Sequence, residues 1–447
     1  MARRSTPDRS DAALVNGAQH VLARNRRGTW TCPAKGFYPH QWLWDSCFIA
    51  IGVATYDPRR AAGELRALFR GQWANGMIPH MIFAADVRDA GSRHIWQSTR
   101  YPDAPRDVDT SCVTQPPLPA IATEYVARSL PEVERRALLA ELFPKILDYH
   151  RWLYRERAPG GKGLITLLHP WECGLDTTPP WIRQVRRMRG PWWLRPALRL
   201  RLSRVARLFR RDTRYVPAAE RLSDDDGLRM LALVHHVKRH GFDLEQLPPR
   251  TSVLVEDLAF NSLLVVANRS LRHIAEELGE TIDAELADRC RRTEAALDEL
   301  WDEAAGQYYS RDVSTGRLIK MSTVATFLPL WAGVVADERR ARIVELLRDP
   351  ARFWPRFPVP SVPLDAPEFD DDRYWRGPTW VNTNWLIVEG LRNCGEAEVA
   401  EALRELTLDL VDESGFAEYF SALTGEGYGA PEFSWTAALV LDLALRG

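Results

Sequence analysis

The sequence predicts an all-α protein, a single helical barrel of paired inner and outer helices with its long loops gathered at one end. Three observations carry this expectation. Helical periodicity dominates the chain. Strand signals are few and short, around 164–167 and 308–311. Composition does not break between the halves of the 447 residues, so one domain over 1–447 is expected.

Amphipathic helices are predicted at about 10–25, 43–55, 58–73, 115–129, 131–157, 227–241, 256–277, 281–302, 326–333, 336–347, 378–393, 396–412 and 433–446. Their starts carry suitable caps. Ser10-Asp11 opens the first, Asp57-Pro58 the third, and Asp257 with Asn261 the seventh. Short turns alternate with long loops at 28–44, 74–114, 159–225, 349–377 and 413–432, and these loops hold nearly all the tryptophan-rich motifs. In a barrel they would meet at one end and build the pocket.

Composition excludes several functions. A hydrophobic share of 45% with 27% charged residues is that of a soluble globular enzyme. The net charge of -1 supplies no global field for nucleic acid or membrane. Six cysteines lie far apart with no CxxC pair, which reads as reduced, mostly buried thiols in a cytoplasmic protein. No apolar h-region follows the basic Met1-Ala2-Arg3-Arg4-Ser5, and no apolar run reaches the ~18 residues of a membrane span, so neither a signal peptide nor stable membrane insertion is expected. A homo-oligomer is compatible with this composition. The anomaly is tryptophan, 17 in all, many in Gly/Pro-rich segments. Flat rings in loops suit the C–H faces of sugars.

Two lone carboxylates stand in such loops. The candidates are Asp176, in His169-Pro170-Trp171-Glu172-Cys173-Gly174-Leu175-Asp176, and Glu418, in Gly415-Phe416-Ala417-Glu418-Tyr419-Phe420, weighed against Glu172, Glu413, Glu426 and Glu432. Such a pair suits glycoside hydrolysis, where one acid protonates the leaving oxygen and one carboxylate handles water or the anomeric carbon. In Tyr38-Pro39-His40-Gln41-Trp42-Leu43-Trp44-Asp45, Asp45 reads as an acceptor for sugar hydroxyls above indoles, with an N-cap or first-turn helix acid as the alternative. His80, closing Gly76-Met77-Ile78-Pro79-His80, is a loop histidine or a substrate contact; Gln115, before Pro116-Pro117, is a cap or a substrate contact. Tyr374-Trp375-Arg376-Gly377-Pro378-Thr379-Trp380 points to substrate binding, with structural stacking as the alternative. The runs Asp224–Asp226 and Asp370–Asp372 read as solvated turns. His236 and His240 lack the glutamate of HExxH, and no phosphate loop or nucleophile elbow is present, so no metal and no cofactor are expected.

The set YPHQWLWDSCF, GMIPHM, HPWECGLD, RYWRGPTWVNTNW and FAEYF with TGEGYG and FSWTAAL resembles glycoside hydrolase family 63, in its short bacterial branch of mannosylglycerate and glucosylglycerate hydrolases. The motifs run from about residue 38 to residue 440. The resemblance implies an (α/α)6 toroid that hydrolyses α-glycosides with inversion and without a metal. It implies Asp176 as general acid and Glu418 as general base, with Tyr38, Trp42, Asp45, Trp171, Gly174, Trp375, Gly377 and Trp380 at the sugar. Gln115, Arg221 and Tyr374 would face an aglycone carboxylate, and glucosylglycerate or mannosylglycerate is the implied small-molecule substrate. The chain departs from that pattern at Gly227, at Asp86-Val87-Arg88-Asp89-Ala90 and at Glu432, which precedes FSW in place of glutamine. These departures fall on the aglycone side. A same-fold α-glucosidase for a neutral disaccharide or glucosylglycerol, and a non-catalytic glycan-binding toroid, are the alternatives.

One segment stands apart by charge. The basic helical insert at 181–214 carries many arginines, with leucines at helical spacing from Leu198. It reads as a lid or subunit contact, as a polyanion or membrane-surface contact, or as a source of positive potential for an anionic substrate.

Overall fold

The computed structural model describes residues 11–188, 191, 193–200, 217, 221–248 and 251–446. Helices dominate, and the most apolar of them lie innermost. Leu43–Val53 is buried along its whole length, as a helix apolar on every face must be. Its neighbours in space form a sequence of contacts that closes on itself. Leu43–Val53 packs on Pro119–Arg128, that helix on Leu258–Leu278, then Pro329–Ala332, Val381–Asn393 and Ser434–Leu445, which returns to Leu43–Val53. Behind these stand more polar helices: Asp11–Arg24, Pro58–Phe69, Glu132–Arg157, Ala284–Leu297 and Ala397–Ser414. The closing contact is tight. A Cβ on Gly52 would lie 2.0 Å from the carbonyl oxygen of Ala438, so only glycine lets these two helices meet.

Caps act where sequence chemistry places them. Asp57 accepts from the Arg60 amide with Pro58 at the first helical position, and Asp257 accepts from the Phe260 amide. Several boundaries differ from expectation, each for a local reason. The helix expected from 115 begins at Pro119, because the prolines at 116 and 117 disfavour helical backbone in the residues before them. The helix expected from 378 begins at Val381, because Thr379 is extended and pairs with Phe420 through both backbone groups. The helix expected from 227 begins at Asp224, capped by Ser223, so Asp224–Asp226 form a helical first turn and not a solvated turn. Asp226 is buried there in a bidentate pair with Arg186. The short helix Ala90–Trp96 has no counterpart among the expected elements.

The all-α expectation also needs correction, since short antiparallel ladders tie the loops together. Gln41-Trp42 pairs with Met81-Ile82, and Tyr419-Phe420 with Gly427-Tyr428. A four-stranded ladder joins Thr166-Leu167, Val255-Glu256, Arg311-Asp312 and Arg317-Leu318. Each strand spans two residues, too few for a periodic sequence signal.

All six cysteines are free thiols, five of them buried. Among the described residues, no helix is long and apolar enough to cross a membrane. Half of the 181–214 segment lies outside the described residues, including the expected leucine-spaced run beyond residue 200. Its described parts belong to the helices Pro179–Arg187 and Leu194–Arg199.

Candidate active site

The long loops meet over a cavity of about 420 Å³. Asp176 and Glu418, 242 residues apart in sequence, both line it, together with Tyr38, Trp42, Asp45, His80, Gln115, Trp171, Gly174, Arg221 and Tyr374. Tertiary structure has thus brought all the long loops to one place.

Glu418 is held from several sides. Its Oε2 accepts from the Ala430 amide at 2.9 Å and from Arg221 Nη2 at 2.8 Å. Its Oε1 accepts from the Tyr38 hydroxyl at 3.0 Å. Arg221 also donates to Tyr38 Oη at 2.8 Å, and its guanidinium lies 4.7 Å from the Tyr374 ring centroid and 5.0 Å from that of Phe37. The Arg221–Glu418 pair is almost fully buried, with side-chain exposures of 5% and 1%. Gly429 sits against it at φ +72°, where a Cβ would come 2.4 Å from Glu418 Oε2.

Asp176 occupies a different environment. It lines the cavity, and burial pushes its carboxyl up to about 7; its own backbone amide and Arg221 oppose that rise, and Glu418 adds to it. One carboxyl is therefore poised to hold a proton near neutrality, beside another held by an arginine, a hydroxyl and a backbone amide. Asp45, buried in the same cavity, is also driven well above the usual carboxylate range by desolvation, with Glu418 and Asp176 adding repulsion.

The loop before Asp176 is rigid for identifiable reasons. Glu172 is wholly buried away from the cavity, accepting from the Leu168 amide at 2.7 Å and from Arg157 at 3.1 Å. His169 Nδ1 accepts from the Trp171 amide at 3.2 Å. Gly174 adopts φ +75°, and a Cβ there would meet the Trp44 ring at 2.7 Å. Glycine therefore permits the loop to lie directly on an indole.

Gln115 does not cap the helix it precedes, which begins at Pro119. Its carboxamide oxygen accepts from the Trp44 amide at 3.3 Å, in the first turn of Leu43–Val53, while the side chain also lines the cavity. His80 lies between Trp42 and Trp171, with ring centroids at 5.1 and 6.4 Å, and burial lowers its pKa to about 3, leaving it neutral.

Five expected site residues lie away from this cavity. Trp375 and Trp380 are fully buried and stacked on one another, centroids 3.7 Å apart and planes 8° apart. Trp380 stacks further on Tyr419 at 4.6 Å. Gly377 lies against backbone, where a Cβ would fall 2.3 Å from the Asp370 carbonyl oxygen. Arg376 lines a separate cleft, and Glu432 pairs with Arg24 at 2.7 Å in a partly exposed position. Within the 374–380 motif only Tyr374 reaches the cavity; the indoles form its supporting column. A neighbouring-residue pattern cannot tell a ring facing sugar from a ring facing another ring.

Sequence reasoning missed other lining groups, among them Trp96, Trp435, Leu228 and the pair His40–Asp89, whose Nε2 and Oδ2 lie 3.3 Å apart. Trp44, beside Asp45 in the first motif, also faces the cavity. Leu228 lies in the first turns of an amphipathic helix, indistinguishable in sequence from a core residue.

A cavity walled by indoles, holding one desolvated carboxyl and one ion-paired carboxylate, defines a glycoside hydrolase. Residues 38–436 match the mannosylglycerate hydrolase MGH1-like glycoside hydrolase domain, and the chain belongs to this family, within glycoside hydrolase family 63. It is 39% identical over 430 residues to a mannosylglycerate hydrolase of Thermus thermophilus, covering 95% of this chain and 99% of the relative. It is 33% identical over 452 residues to a glucosylglycerate hydrolase of Mycolicibacterium hassiacum, covering 98% of each. A crystal structure of the family 63 mannosylglycerate hydrolase of Thermus thermophilus, in complex with Tris and D-glycerate, superposes with a TM-score of 0.86 at 37% identity, covering 96% of this chain and 99% of that one.

Proposed function

We propose that this chain is an inverting α-glycosidase that hydrolyses a glycosylglycerate, glucosylglycerate or mannosylglycerate, with Asp176 as general acid and Glu418 as general base. The observation that carries the reading is the division of environments within one cavity. Desolvation lifts Asp176 to about 7, while Arg221, Tyr38 and the Ala430 amide converge on Glu418. Asp176 gives its proton to the glycosidic oxygen as the bond from that oxygen to the anomeric carbon breaks. Glu418 takes a proton from water as the water oxygen attacks the opposite face of that carbon. The products are the free sugar and the alcohol of the aglycone, and both carboxyls return to their starting states by exchange with solvent. Inversion requires a pair spaced roughly 6.5–9.5 Å apart to admit the water.

The sugar subsite in this reading uses Asp45 and neutral His80 for hydroxyls, with Trp42, Trp44 and Trp171 against the ring faces, while Gln115, Arg221 and Tyr374 face the aglycone. No metal and no cofactor take part. We also infer an (α/α)6 toroid forming one domain over 1–447, supported by the closed sequence of six inner helices with polar helices behind them.

A second reading keeps the chemistry and changes the aglycone. Arg221 is already engaged by Glu418 and Tyr38, and Asp89 and Asp224 also line the cavity, which favours a neutral alcohol such as glycerol or a second sugar. The test is sugar release from glucosylglycerate, mannosylglycerate, glucosylglycerol and a panel of α-disaccharides, each with the Asp176→Ala and Glu418→Ala variants. Release from a glycerate conjugate, lost in both variants, supports the first reading. Turnover of neutral glycosides alone supports the second.

A further inference from the structure

Behind the loop that carries Asp176 lies a second cleft, of about 730 Å³. The helix Pro179–Arg187 supplies Arg183, Arg186 and Arg187 to its wall, and distant segments add Lys320, Arg352 and Arg376. Six cations thus face two acids, Asp365 and Glu368, among the described lining residues.

Three of the six are accounted for by ion pairs. Arg186 holds Asp226 at 2.6 Å, Lys320 holds Asp302 at 2.6 Å, and Arg352 holds Asp365 at 3.1 Å. Arg183 and Arg187 have no acidic partner among the described residues, and Arg376, which feels Asp370 and Asp226 as well as the cations Arg373 and Arg186, makes no direct ion pair among them. Arg183 and Arg187 are four apart on one helix face, where like charges repel. Arg376 is half-buried; its Nε has no hydrogen-bond partner among the described residues, and its Nη2 has only a 3.4 Å contact to the Glu368 carbonyl. The half-buried Arg376 guanidinium carries the desolvation cost that an anion would relieve, and the exposed Arg183 and Arg187 lie beside it in the same cleft wall.

We propose that this cleft binds a phosphorylated small molecule, separately from the hydrolytic cavity. A phosphomonoester dianion offers several acceptor oxygens to guanidinium forks, the geometry arginine recognises best. The volume exceeds that of phosphate alone, and Ile182, Tyr309 and Met321 present apolar surface for an organic part. The location gives the site a route to the chemistry. The helix bearing Arg183 starts three residues after Asp176, and Arg376 follows Tyr374 by two. Arg186 ties the same helix to Asp226, in the first turn of the helix Asp224–Arg239 that lines the hydrolytic cavity. An occupant therefore braces three segments that shape the active site.

The test is calorimetric titration of the full chain with inorganic phosphate and with phenyl phosphate at constant ionic strength. Saturable binding is expected, weakened at least about tenfold by Arg183→Gln with Arg187→Gln, and likewise by Arg376→Gln. Arg183 and Arg187 are exposed, so the double variant tests the site without disturbing the core. Heat that does not saturate, or that merely follows ionic strength, overturns the proposal. Binding left intact in the double variant places the anion elsewhere and overturns it equally. Because binding is read directly, the outcome does not depend on which glycoside the enzyme hydrolyses.

Discussion

At the residue scale, the two carboxylates differ through their neighbours and not through their own chemistry. Replacing Asp176 with Asn should lower the rate of sugar release by about 10²–10⁴-fold, the usual contribution of a positioned acid. Glu418→Gln should lose a similar factor, and a variant of either retaining near-parental turnover would remove that residue from the chemistry. The proposed mechanism needs Asp176 protonated, and burial lifts it to about 7, so activity should fall as pH rises through about 7. That alkaline limb should be absent from whatever rate Asp176→Asn retains. Stability follows the same proton. A carboxyl raised on folding holds its proton more tightly when folded, so stability declines as pH climbs from about the ordinary 3.8 towards 7, and the full cost remains above that. Asp176→Asn should therefore be the more stable protein at pH 8, by on the order of a few kcal/mol. Urea unfolding at about pH 8 and about pH 4, either side of the shifted range, checks this; no gain at the higher pH would contradict a desolvated Asp176.

At the element scale, the loop 169–176 rests on a buried ion pair as well as on its aromatic contacts. Glu172→Ala would leave Arg157 buried without its partner and the Leu168 amide without its acceptor. We expect about 3–5 kcal/mol of destabilisation and a lowered Tm, with activity falling because the loop also positions Asp176. A thermal melt indistinguishable from that of the parent would show that the pair does not hold the loop. Motif and cap chemistry place the helix starts at Pro58 and Leu258 well, since each depends on neighbours in sequence. Thr379 reads as helix in sequence because its strand-like pairing comes from Phe420, 41 residues away. The same limit applies to Trp375 and Trp380. Their spacing announces an aromatic cluster, but only packing turns them towards each other and away from the cavity.

At the scale of the whole molecule, the inner helices form a closed circuit, and its tightest described contact is Gly52 against Ala438. Gly52→Val should push Leu43–Val53 away from Ser434–Leu445. Overpacking of this kind typically costs about 1–3 kcal/mol, and backbone-to-backbone contact should place it at or above the upper end. Chemical denaturation measures this; an unchanged midpoint would mean the circuit is looser than its contacts imply. The displacement should also reach the cavity, because Trp44 and Asp45 ride on the first of these helices and Trp435 on the second.

Read along the chain alone, the residues specify the helical period, the caps, the tryptophan-bearing loops and the two acids standing alone within them. These are local matters of side-chain spacing, backbone preference and residue type. Which loops meet is settled only by folding. Packing sets Arg221 and Tyr38 on Glu418, desolvates Asp176 and turns Arg376 into a different cleft. The reason is physical: a charge's environment depends on distances through space, and a linear chain does not specify those until its core has packed.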